Sequence, residues 1–136
     1  MEHSLNVIQS VANRLRTTET EFDFIQRVEL ERALFLVAKE IAETRGFPLH
    51  GLSASHKEEL VSAIAKGQLG RDVGTLIARF IDAKTGLRIL ACGESYLLHN
   101  LAGPSLPGRA NAIRVFGGML NSLVLQVHEL YPRLLS

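Results

Sequence analysis

Cys92, Tyr96 and His99 follow one another at intervals of four and three, so on a helix they share one face. A thiol, a phenol and an imidazole in one line could bind a metal ion or border a small-molecule pocket, because thiolate sulfur and imidazole nitrogen are common zinc donors. A closed zinc site needs further donors, and His128, beside Glu129, is the next candidate. In the plainer reading Cys92 is a small core residue and His99 a partly exposed polar one. The sequence therefore assigns no metal and no cofactor.

Ser95 and His99 stand four apart, with Glu94 beside the serine, a spacing that invites a nucleophile and its base. The segment GESYL lacks the closing glycine of a nucleophile elbow and follows no clear strand, and on a helix Glu94 points off the shared face. No acid–base constellation rises above chance, so the expectation is a non-enzymatic protein.

Anion binding has one candidate, Ser105 with Arg109, at the start of a helix inside LAGPSLPGRANAIRVFGGML (101–120). Pro104 and Pro107 remove two of the N–H groups such a site uses, and neither a Walker nor a dinucleotide glycine pattern is present. The same letters make a good connector. Gly103-Pro104 stops one helix, Ser105 caps the next, Pro107 suits its first turn, and Gly117-Gly118 lets another backbone come close.

Nucleic-acid binding rests on SAIAKGQLGRDVGTLIARF, where Ala63, Gly67, Val73 and Leu76 stand near the small, turn and core positions of a helix-turn-helix. Lys57, Lys66, Arg71, Arg79 and Lys84 fall in the same region. Against this, Gln68 replaces the apolar turn residue, and Arg71, Asp72 and Thr75 are a thin set of base readers.

These residues must be held by helices. Leu5, Ile8, Ala12 and Leu15 predict a first helix ending near Arg16. From Glu19 to about Thr44 runs the longest pattern: Leu30, Leu34, Val37 and Ile41 form one stripe, and Phe24, Val28, Phe35, Ala38 and Ala42 a second beside it. Gly46, Pro48 and Gly51 end it, and Ser55 with Glu58 reads as a capping box for a short helix burying Leu60, Val61 and Ile64. Gly67 and Gly70 bracket a turn before a helix carrying Val73, Leu76, Ile77, Phe80 and Ile81, which should stop near Gly86. Residues 87–102 read as helix, although LRILAC alone would also suit a strand. The last helix, from about Pro107 to Leu134, carries Ile113, Phe116, Leu120, Leu123, Val127 and Leu130 at alternating steps of three and four, widened by Met119 and Val124. Arg114, Asn121 and His128 form a polar stripe beside that seam.

The totals agree with such a fold. A chain of 136 residues, 46% hydrophobic and 21% charged, is enough for one domain with a real core. Fifteen basic against fourteen acidic residues leave a net charge of +1, so no whole-molecule field favours nucleic acid or anionic lipid. The absence of Trp and 6% aromatic content weaken the case for a base-stacking platform. One cysteine excludes an internal disulfide, MEHSLNVIQS lacks the basic start of a signal peptide, and apolar runs such as ALFLVA are too short to span a membrane. A cytoplasmic location is expected.

The sequence thus predicts a single all-α domain over residues 1–136, a bundle of about six helices with two long central ones. The apolar faces of 24–42 and 113–130 look wider than the short helices can cover. The favoured reading is therefore a protein-interaction module, a small adaptor, regulator or assembly subunit. It would form homodimers through Ile113, Phe116, Leu120, Leu123, Val127 and Leu130 with Gly117 and Gly118. The second reading is a nucleic-acid-binding regulator or subunit using the basic residues of 57–84. The third is a small-molecule or metal sensor around Cys92, Tyr96 and His99.

Overall fold

The computed structural model describes residues 1–17, 24–91 and 109–130. Among them are five helices and no strand: α1 (Glu2–Thr17), α2 (Phe24–Glu43), α3 (Ala54–Ala65), α4 (Arg71–Ala91) and α5 (Arg109–Leu130). The protein is an all-α helical bundle.

Two glycines stop helices by the same device. Gly46 and Gly67 each adopt a φ of +71°, a left-handed conformation that side chains with a β-carbon resist. After α2 the N–H of Phe47 donates to the Ala42 carbonyl and that of Gly46 to the Glu43 carbonyl. After α3 the N–H of Gln68 donates to Ala63 and that of Gly67 to Ile64, the same paired pattern. The start of α3 lies two residues before the expected place. Ser53 is the capping residue, and its N–H donates to Nδ1 of His56 at 3.1 Å. Ser55 with Glu58 is therefore not the box: an imidazole nitrogen fills the acceptor role that a glutamate usually has.

Helix α4 runs straight through Gly86, where the sequence suggested a stop. Leu87 and Leu90 beyond it are fully buried and continue the stripe of Leu76, Phe80 and Ala83. Their burial, worth about 1.5–3 kcal/mol for each large side chain, outweighs the roughly 1 kcal/mol that a glycine costs inside a helix. LRILA is accordingly helical.

Four helices form a closed circuit in which α1 packs on α2, α2 on α4, α4 on α5 and α5 back on α1. The α1–α5 contact is the most extensive, and α3 docks on α4. Helix α1 runs antiparallel to both its neighbours: the Met1 amino group meets Glu40 near the end of α2, while Gln9 meets Asn121 and Leu15 lies by Gly117 on α5. Inside the circuit lie Ile8 and Leu15 from α1, Leu34 and Ile41 from α2, Phe80 and Leu87 from α4, and Phe116 and Leu120 from α5.

Part of the expected core lies at the surface. On α2 the second stripe is split: Ala38 and Ala42 are fully buried, whereas Val28 is exposed and Phe35 half-buried, and among the described residues the helices packed extensively on α2 are α1 and α4. Val61 on α3 is 62% exposed and Ile64 half-buried, since α3 has α4 as its one extensive neighbour and buries Leu60 and Ala63 against it.

Candidate functional site

The apolar seam of the last helix faces inward. Ile113, Phe116, Leu120, Leu123 and Val127 are all buried within one chain, together with Val124. Their cover comes from α1 and α4, the two helices packed on α5. These five are core residues of the single copy rather than the open surface the sequence suggested, because α1 and α4 pack on this helix. Leu130, the sixth member, is 42% exposed.

The adjacent glycines divide between two roles. A β-carbon on Gly117 would lie 3.0 Å from Leu15 Cβ and Arg16 Cγ, so this glycine admits α1. A β-carbon on Gly118 would meet nothing within 4 Å. Gly118 instead helps line a groove of about 480 Å³ between α4 and α5, with Val115, Met119 and Leu123 as apolar lining and Arg79, Asp82, Ser122 and Gln126 as polar lining. The polar stripe is also divided: Arg114 and His128 are exposed, whereas Asn121 Oδ1 accepts from Gln9 Nε2 at 3.0 Å. The same Gln9 amide also donates to Asn13 Oδ1 at 2.9 Å.

The basic set of 57–84 is partly neutralised inside the molecule. Lys57 Nζ pairs with Asp82 at 2.8 Å and Lys84 Nζ with Glu31 at 3.4 Å. Lys66 and Arg71, on either side of the α3–α4 turn, and Arg79, at the α4–α5 groove, are exposed and have no ion pair among the described residues. The candidate reading helix α4 is a central member of the bundle, buried through ten residues. Its outward side carries Asp72 and Thr75 between two of these cations.

Cys92, Tyr96, His99 and Ser105 lie outside the described residues, as do Ser95 and Glu94. Arg109 is the first residue of α5. Among the described residues no group of three or more His, Cys, Asp or Glu side chains could hold a metal ion. No helix there is long and apolar enough to cross a membrane.

Two features go beyond the sequence reading, which placed Val28 and Val61 on inward faces and Leu130 in the last-helix seam. His3, Asn6, Ser10 and Arg14 of α1 line a groove of about 420 Å³ together with Val7 and Val11 of the same helix and Gln26 and Glu29 of α2. Their spacing of three and four was the available signal. The second is an outward apolar set: among the described residues the exposed large hydrophobic side chains are Val28 and Leu36 on α2, Val61 on α3, and Leu125 and Leu130 on α5. Beside Val28 a groove of about 400 Å³ continues over Phe35 and Leu52, edged by Arg32 and Lys84. Such grooves and exposed side chains can seat side chains of a partner, with charged groups at the rim.

Compared with protein-family models, curated proteins and solved structures, the chain matches none of them.

Proposed function

We propose that this protein is a non-enzymatic interaction module, a small adaptor, regulator or assembly subunit that self-associates through the outer faces of its long helices. The observation that carries the reading is the placement of exposed apolar side chains. Among the described residues four of the five large ones lie on α2 and α5, which have no extensive contact with each other there. Each helix therefore offers a separate apolar contact, and hydrophobic burial is the main favourable term in protein association. The inward seam stabilises the single copy, and association falls to Val28, Leu36, Leu125 and Leu130.

Light scattering coupled to size-exclusion chromatography, over a concentration series at low and high salt, tests this. A dimer that persists at high salt supports the proposal. A monomer at every concentration removes the self-association.

The exposed Lys66, Arg71 and Arg79 favour a second reading, a nucleic-acid-binding regulator or subunit. It requires duplex or single-stranded binding that weakens steeply with salt, since each neutralised phosphate releases counterions. Weak, salt-insensitive binding counts against it.

A further inference from the structure

The outward face of α5 reads Arg114, Gly118, Ser122, Leu125 and Glu129, at steps of four, four, three and four. Residues at these steps form one stripe along a helix. Arg114, Ser122, Leu125 and Glu129 are exposed and Gly118 is half-buried.

Two residues of the stripe bring no benefit to the single chain. Gly118 sits in the interior of a helix, where glycine is unfavourable, yet no neighbour requires its lack of a β-carbon. Leu125 leaves 59% of its surface in water. Each residue supplies what the other lacks, a hollow and a knob. They are also equally distant from the midpoint between Asn121 and Ser122, and so are Arg114 and Glu129. A two-fold axis through that midpoint, relating two antiparallel copies of α5, sets Gly118 opposite the partner's Leu125 and Arg114 opposite the partner's Glu129. Both pairs then occur twice, as an isologous interface demands.

We propose that two copies of this chain pair antiparallel along α5. The leucine of each enters the α4–α5 groove over the glycine of the other, and the arginine of each faces the other's glutamate. The groove of about 480 Å³ has room for a leucine side chain, and Val115 and Met119 give it apolar walls. Ser122, small and at the centre of the stripe, lets the two helices approach. Opposite charges at the two ends select the antiparallel register, since a parallel pairing in register would place arginine against arginine and glutamate against glutamate. This inference rests on the self-association reading and assigns it a face.

The test is sedimentation velocity over a concentration series at low salt, with helicity followed by circular dichroism. Leu125→Glu and Gly118→Leu should each weaken the dimer at least about tenfold while helicity is kept. Arg114→Glu and Glu129→Arg should each weaken it, and the chain carrying both should recover to within about threefold of the parent. Within one helix these two positions are about 22 Å apart, so the rescue can come only from a contact between copies. A parent chain that is monomeric throughout overturns both this inference and the self-association reading. A dimer indifferent to all four substitutions overturns the α5 register alone and transfers self-association to Val28 and Leu36 on α2.

Discussion

Gly117 lies against the main chain of Ala12: a β-carbon at Gly117 would stand 3.2 Å from the Ala12 carbonyl oxygen. Because that neighbour is backbone, it cannot swing away as a side chain can. Gly117→Ala should therefore push α1 off α5 and cost about 1–3 kcal/mol, the usual penalty for overpacking. Gly118→Ala, one residue on, meets open space and should gain about 1 kcal/mol from helix propensity. Urea unfolding at low protein concentration, where any dimer is dissociated, should show midpoints moving in opposite directions.

At the α3–α4 junction, a β-carbon on Gly74 would collide with the end of the Ile64 side chain, including Cγ1 at 2.8 Å. Gly74→Ala is expected to destabilise by about 1–3 kcal/mol. Ile64→Val shortens the colliding arm. The double variant should be more stable than the sum of the single effects allows, a non-additivity visible in a thermodynamic cycle.

The Gln9 amide joins α1 to α5 through Asn121. Asn121→Leu removes the acceptor and leaves a part-buried donor short of a partner, so a loss of about 1–2 kcal/mol is expected. Replacing both residues with leucine should recover much of that loss, because no polar group is then left unmatched. Chemical denaturation of the parent and these two variants distinguishes a bond from mere packing.

Lys57 and Asp82 pair at 2.8 Å with 45% and 30% of their side chains exposed. A double-mutant cycle to alanine should give a coupling of about 0.2–1 kcal/mol that shrinks with added salt, as for other solvated ion pairs. Docking of α3 then depends chiefly on Leu60 and Ala63. Leu60→Ala is the more damaging change, at about 2–5 kcal/mol for a buried leucine.

Helix ends and inward stripes were legible wherever a local rule decides them. Gly46 and Gly67 stop helices because main-chain hydrogen bonds close over a left-handed residue, and the letters around them signal it. Gly86 carries the same letter with the opposite outcome, since continuation there depends on what covers Leu87 and Leu90. The spacing of Ile113, Phe116 and Leu120 identified a seam but not its partner: heptads say that a helix is faced, not which one. Gly117 and Gly118 are alike in sequence, and only the approach of α1 separates them. Lys57 and Lys84 read as free cations until the fold brings Asp82 and Glu31 to them. The site around Cys92, Tyr96 and His99 falls outside the described residues.

The circuit of helices also orders events during synthesis. Gln9 and Asn121 are separated by 112 positions, and α1 finds its largest contact surface on α5. At ribosomal rates of about 5–20 residues per second, the apolar side of α1 waits on the order of ten seconds for that surface to be made. Leu5, Ile8, Ala12 and Leu15 are then at most partly sheltered by α2, so the nascent chain passes through an interval in which it is open to chaperones and to misassembly with neighbouring nascent chains.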